Sequence, residues 1–370
     1  MEQEPKQKGG PGFGAAAMAL LCLVLAVCLA GDQGRWVQAA APVELELPRT
    51  ASQVSTTTQV GSRVIPVGRA VGIKLFSDGV LVVGLSPVET EKGACYPGRD
   101  SGLKAGDVIT HLNGDEVDTI EQVQNVVAQQ EGEPITIQAM RGQKQVQLTA
   151  AAVENSQGVY QLGVWLRDSM AGIGTMTFYD PSSGVFAALG HGINDVDTAM
   201  LMPLESGSIM GASVSDVKRG LSGEPGELHG QFDLSQDLGT LYANTDRGIF
   251  GNLAVPEPLV EQQPVEVASR KDIHTGAATI LSNVRGNQVE EFDVNITHIS
   301  SDADGTRSLM LQVTDPELLE ATGGIVQGMS GSPILQDGRL VGAVTHVLVN
   351  DPTRGYGILA ETMCKAAGSN

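Results

Sequence analysis

The sequence predicts a mainly β protein with two folded domains behind an N-terminal apolar helix, and three features carry that reading. Glycine is abundant, at 46 of 370 residues, while aromatic residues make up only 4%. Such a composition suits short strands and tight turns better than long helices. Short β-branched runs recur with Gly, Pro, Asn and Asp between them, and the length gives room for about two domains of ordinary size. The formal net charge of −20 argues against a nucleic-acid ligand and against adhesion to anionic lipid. It favours a soluble, self-repelling body, or a basic partner.

Residues 1–12 read as a cytosolic tip. Phe13–Ala30 (FGAAAMALLCLVLAVCLA) carries no charge and follows Lys6 and Lys8. Its length lies between a signal h-region and a single membrane span. It therefore predicts export, with the segment kept as an anchor or removed, and Ala39, Ala40 and Ala41 offer a cleavage site. Residues 31–59 are small, polar and punctuated by proline, as in a linker, with one strand expected around Val43–Leu47. Cys22 and Cys28 lie in the apolar run. Cys95 and Cys364 remain in the body, far apart and in no metal-ligand spacing, so one disulfide and two free thiols both stay open.

The first domain is expected over 60–153. Val64–Val67, Val71–Leu75 and Gly79–Leu85 read as strands. Ile120, Val123, Val126 and Val127 fall at helical spacing within Thr119–Gln130, where Thr119 and Gln122 form a capping box. Ile135 to Leu148 alternate about a turn at Arg141-Gly142, as in a hairpin. The run SGLKAGDVITHLNG (Ser101–Gly114) resembles the signature of PDZ domains. That resemblance implies an α+β unit of five to six strands with a peptide groove beside the Thr119–Gln130 helix, filled by β-strand addition. The carboxylate-capturing loop would map to Val71, Gly72, Ile73 and Lys74, and the ligand would be a peptide, the chain's own included. The insert Glu89–Arg99 is longer than the usual connection.

The second domain is expected over 158–370, as strand-like runs separated by turn signals. Three of its features point to acyl transfer. Ser330 lies in Gly328-Met329-Ser330-Gly331-Ser332-Pro333, where small neighbours admit a substrate carbonyl and a tight turn can aim the N–H groups of Gly328 and Ser330 at an oxyanion. His191, between glycines at the end of an apolar run, is placed as a general base, with His346 as its rival. A third member must orient that base: Asp315, 15 residues before Ser330, or Asp195 or Asp197. Residue type alone does not separate them, and the Asp315-Pro316 pair also reads as a helix start. Asp337-Gly338 predicts a hairpin behind the serine. Asp302-Ala303-Asp304-Gly305 opens like a calcium loop, but position 313 is Val, so a turn is expected and no metal.

The block GGIVQGMSGSPILQDGRLVGAVTHVLVNDPTRGYGI, with ALGHGINDVDT upstream, resembles the stage IV sporulation protein B family of signalling serine peptidases. The resemblance implies a chymotrypsin-like β-barrel fold, with His191 as base, Ser330 as nucleophile, Asp315 as the likeliest acid, and no cofactor. It also implies a location at the forespore membrane and in the space beside it. The substrate there would be a membrane-bound regulator of an intramembrane protease complex, whose cleavage leads to activation of a mother-cell sigma factor precursor. Self-cleavage in the N-terminal linker is a further implication. Two other readings stand beside it: a general envelope quality-control PDZ protease and a catalytically idle, membrane-tethered PDZ scaffold.

Overall fold

Two long strands, Ala70–Leu85 and Val164–Tyr179, run antiparallel to each other and organise the first half of the described chain. The computed structural model describes residues 58–254, 262–301 and 305–368. The apolar run Phe13–Ala30, the strand expected at Val43–Leu47 and most of the Asp302–Gly305 turn lie outside the described residues. Among the described residues no helix is long and apolar enough to cross a membrane.

The strands read at Val71–Leu75 and Gly79–Leu85 are one. Ala70–Leu85 passes through Ser77-Asp78-Gly79, where Gly79 has φ +81° and its N–H donates to Asp118 Oδ1 at 3.0 Å. Either side of that point the strand serves different cores. Its first half enters a closed six-stranded antiparallel barrel. The ring runs from Val164–Tyr179 to Ala70–Leu85, Ser206–Lys218, Glu227–Thr245, Gly248–Leu253 and Val185–Ala188, and back to Val164–Tyr179. Inside it Val71, Ile73, Met176, Phe186, Ile209 and Ile249 are buried, which removes apolar area from water at roughly 25 cal/mol per Å².

A second closed barrel follows. Gly276–Arg285 pairs with Gln288–Ile299, which leads through Leu309–Val313, Asp351–Leu359, Arg339–Leu348 and Pro333–Gln336 back to the first strand. Closure leaves neither barrel an open sheet edge. The expected Asp337-Gly338 hairpin joins Pro333–Gln336 to Arg339–Leu348, with φ +52° and +72° at the turn, as a primed two-residue turn requires. The short strand Arg63–Pro66 ties the barrels together, pairing Ile65 with Tyr179 of one and Arg63 with Glu266 beside the other. The C-terminal helix Ala360–Ala367 buries Met363 and Cys364 against Phe178, Phe250 and Ala343. Cys95 and Cys364 are both free, and burial pushes the Cys364 thiol up to about 12.

The second half of Ala70–Leu85 belongs to the PDZ-like unit. There it pairs with Asp107–Leu112, which continues to Pro134–Arg141 and Lys144–Ala151. The helix Ile120–Gln130 starts at Thr119 with the expected capping box: Gln122 N–H donates to Thr119 Oγ1, and Thr119 N–H donates to Gln122 Oε1. The Gly-Asp of the signature has a physical reason. Asp107, fully buried, accepts two hydrogen bonds from Arg141 at 2.7 and 2.8 Å and a third from Lys104 N–H. That charge-assisted bond raises the Arg141 pKa, burial opposing it. The insert folds as a small hairpin, Val88–Thr90 with Gly93–Cys95, and a helical turn Pro97–Asp100. The expected boundary at residue 60 differs from the fold. Arg63–Pro66 pairs with 178–179 and 265–266, and Ala70–Leu75 is a barrel strand with partners at 170–175 and 207–211, so both belong with the barrels rather than with the unit that follows.

Candidate active site

Ser330 sits on a turn that glycine makes possible. Gly328 and Gly331 have φ of +96° and +99°, and a Cβ at Gly331 would lie 2.0 Å from the Thr175 carbonyl oxygen. Buried Val326 and Met329 anchor the turn from below. No acceptor among the described residues takes the N–H of Gly328 or of Ser330, so the two donors expected at the oxyanion are free. The other serine of the motif, Ser332, is fully buried and donates to Ser282 Oγ at 3.1 Å.

His191 follows Leu189 and Gly190, both at positive φ (+69° and +70°), at the end of the first barrel's Val185–Ala188 strand. A Cβ on Gly190 would meet Thr345 Cγ2 and Ile358 Cγ2 at 2.9 Å, so the base-bearing loop is seated directly on the second barrel. His191 and Ser330 line one cavity of about 280 Å³ at the seam between the barrels. Ile73, Met170, Leu189 and Ile193 supply its apolar wall. His191 Nδ1 donates to the Gly192 carbonyl at 2.8 Å, which leaves Nε2 as the basic nitrogen. Burial lowers the pKa of His191, partly offset by that hydrogen bond, so the ring is neutral at pH 7 and competent to accept a proton. The Ser330 hydroxyl donates to the Thr345 carbonyl at 2.8 Å. Rotation about χ1 frees it for the cavity.

His346, next to Thr345, has its ring centroid 5.3 Å from that of His191. Burial, then the charges of His191 and Arg307, push its pKa down to about 4, and among the described residues its buried Nδ1 has no hydrogen-bond partner. It does not line the cavity.

Among the described residues no hydrogen bond or ion pair joins any of the three candidate acids to either histidine. Asp315 is the N-cap of the helix Pro316–Thr322: Oδ1 accepts the N–H groups of Glu317 and Leu318, and Oδ2 accepts that of Asp293. Its carboxylate is thus committed to the backbone, a correction to the role implied by resemblance. Asp195 is buried and bonded to Arg167 Nη1 and Thr198 Oγ1. Burial opposes its charge, but the Thr198 hydrogen bonds and the Arg167 cation outweigh that and hold its pKa low. Asp197 is exposed and takes Arg167 Nη2 at 2.9 Å. The orienting contact on His191 comes instead from the Gly192 carbonyl, a contact that residue type gives no means of finding. His274 does meet a carboxylate, Asp337 at 2.9 Å, but both side chains are more than half exposed.

The loop expected to capture a peptide carboxylate is also corrected. Val71, Gly72, Ile73 and Lys74 are paired on both sides, with Ala171–Gly174 and with Ser208–Gly211. A Cβ on Gly72 would lie 2.7 Å from Met210 and Phe232, so close packing is what demands glycine there. The groove beside the Ile120–Gln130 helix is bounded by Leu162–Leu166 instead. Gly163 has φ +65°, the carbonyls of Leu162 and Gly163 are held by Gly98 N–H and Ser86 N–H, and no described residue accepts the N–H of either. The signal for this loop was present in the sequence, as a Leu-Gly-Val step ahead of an extended run.

The family profile of the SpoIVB peptidase S55 matches residues 158–364, more than half of the sequence. The chain belongs to the SpoIVB peptidase S55 family. It is a serine peptidase, and a PDZ profile matches residues 95–141 of it. This S55 peptidase is also similar to a putative zinc metalloprotease of Vibrio cholerae serotype O1, at 27% identity over 155 residues. That match covers 41% of this chain and 32% of the relative, so the chain spans about a third of that protein's length. Among the described residues no cluster of three His, Cys, Asp or Glu is placed to hold a metal ion. Two solved structures resemble parts of the peptidase. The PDZ domain of the SdrC-like protein Lmo2051 of Listeria monocytogenes shares 23% identity, covers 24% of this chain and 87% of that one, and gives a TM-score of 0.20. The inactive form of a serine-to-alanine mutant of Rv3671c from M. tuberculosis H37Rv shares 13%, covers 54% and 82%, and gives 0.29.

Proposed function

We propose that this S55 peptidase is an exported signalling endopeptidase in which Ser330 is the nucleophile and His191 the general base. Ser330 Oγ attacks a peptide carbonyl while His191 Nε2 takes its proton. The N–H groups of Gly328 and Ser330 hold the oxyanion, the imidazolium then protonates the leaving amine, and water hydrolyses the acyl-enzyme by the reverse route. The observation that carries this is the single cavity lined by Ser330 and His191 together. Two six-stranded barrels, one giving the base and the other the nucleophile, support a chymotrypsin-like reading of the fold. The apolar cavity wall favours a substrate with an apolar side chain next to the scissile bond.

Family membership supports the biological role: cleavage of a membrane-bound regulator in the space between forespore and mother cell, leading to activation of a sigma factor precursor. The same membership supports self-cleavage in the N-terminal linker. Phe13–Ala30 serves in this reading as the export signal or membrane anchor. The PDZ-like unit binds a peptide as an added strand along Val164–Leu166, with the N–H groups of Leu162 and Gly163 as its carboxylate cradle.

The test treats the full chain with a fluorophosphonate probe. Wild type and Ser332→Ala are expected to label and Ser330→Ala not. Labelling that survives Ser330→Ala overturns the assignment. Incubation with membranes that carry a candidate regulator, beside an unfolded protein, separates signalling from quality control: one defined cut supports the former, broad digestion the latter.

A further inference from the structure

We propose that Thr175 is the positioning residue that holds the oxyanion turn and the base-bearing loop in working alignment. This rests on the reading of Ser330 as nucleophile. Thr175 lies on the Val164–Tyr179 strand of the first barrel, 1% exposed, and meets both halves of the site. Its N–H donates to the Ser330 carbonyl at 3.0 Å, and its Oγ1 donates to the Gly328 carbonyl at 2.7 Å. Its own carbonyl accepts the N–H of Leu189, two residues before His191, at 3.2 Å.

A buried threonine with a satisfied hydroxyl is ordinary. What sets this one apart is which groups it satisfies. The peptide unit joining Gly328 to Met329 is held at both ends, its carbonyl by Thr175 Oγ1 and its N–H by the Val326 carbonyl at 3.1 Å. The unit joining Ser330 to Gly331 is held likewise, its carbonyl by Thr175 N–H and its N–H by the Val344 carbonyl at 2.7 Å. Between them lies the one peptide that carries the Ser330 N–H, held by its two clamped neighbours and by the Ser332 N–H, which donates to its carbonyl at 3.0 Å. The Gly328 N–H adjoins the first clamp, in a peptide whose carbonyl accepts the Leu228 N–H at 2.8 Å. Loss of the Thr175 hydroxyl leaves the Gly328 carbonyl without its donor, so that peptide is held only through its Met329 N–H and the aim of the oxyanion donors on either side of it loosens. Gly331 shows how close the contact is: no side chain fits between it and the Thr175 carbonyl.

The experiment compares full-length wild type, Thr175→Val, Thr175→Ala, Thr175→Ser and Ser330→Ala. It reads the rate of fluorophosphonate labelling, kcat and KM on a peptide ester, and the unfolding midpoint. Val keeps the shape and removes the donor, Ala removes it without adding bulk, and Ser restores it. The labelling rate and kcat are expected to fall on the order of 10²-fold in Val and Ala with KM nearly unchanged, and to stay within about threefold in Ser. A folded Val or Ala variant that labels at the wild-type rate, with Ser330→Ala unlabelled, overturns the role of Thr175 alone. Equal losses in Ser and Val overturn it too, since the hydroxyl would then not matter. Labelling of Ser330→Ala overturns the nucleophile, and this proposal with it.

Discussion

Replacing Asp315 separates two roles that a carboxylate at this position can have. As a helix cap, Asp315 accepts three backbone N–H groups, from Glu317, Leu318 and Asp293. Asn caps almost as well as Asp, whereas Ala leaves those donors without an acceptor. Asp315→Ala should therefore cost about 1–2 kcal/mol, a fall in unfolding midpoint of roughly 2–8 °C for a domain of this size. Asp315→Asn should stay within about 0.5 kcal/mol of wild type. A triad acid behaves in the opposite way. Its change to Asn spares stability but sets the wrong histidine tautomer, lowering kcat by about 10⁴-fold. The assay pairs thermal unfolding with kcat on a peptide ester for both variants. Asp315→Asn with wild-type stability and a kcat reduced by about 10³-fold or more would falsify the reading of Asp315 as a cap alone and restore the acid role.

Two further outcomes follow from the same geometry. His191 must be neutral to accept the serine proton, and burial lowers its pKa below the usual 6.5. Protonation therefore sets in late on acidification, and kcat/KM should hold as pH falls through 6.5 and drop only below it. An acid limb at or above 6.5 contradicts this. Gly331→Ala puts a Cβ 2.0 Å from the Thr175 carbonyl oxygen and 2.6 Å from Leu189 N, at φ +99°. Strain and the backbone clash together should cost roughly 3 kcal/mol or more and lower the unfolding midpoint by about 6 °C or more. A midpoint unchanged in calorimetry would mean that the turn is not seated as described.

Signals confined to a few residues were readable in advance. The Thr119 capping box needs only Gln122 three residues on, and the Asp337-Gly338 turn needs only its two flanking runs. The serine turn was legible for the same reason, since Gly328 and Gly331 supply its positive φ locally. The misplaced carboxylate loop shows where local reading stops. Gly72 and Gly163 both stand in short apolar steps ahead of extended chain, and only their partners tell them apart. Gly72 is enclosed by strands roughly 100 and 140 residues later. Gly163 keeps its N–H unpaired beside a helix. Asp315 carried two local meanings, strand-end acid and helix start. Its bonds to the N–H groups of Glu317, Leu318 and Asp293 show the helix start.

The register of the two long strands changes what the word domain means for this chain. Phe76 lies opposite Ser169, and beyond that point the strands continue as barrel neighbours. Read as topology, the PDZ-like unit is a loop insertion in a single barrel hairpin, entering and leaving through adjacent strands. A short turn in place of residues 77–168 would leave both barrels closed. A truncation at residue 153, where the linear reading set the border, strips the first barrel of one of its walls. The PDZ-like unit is thus removable as an insert and not as a head.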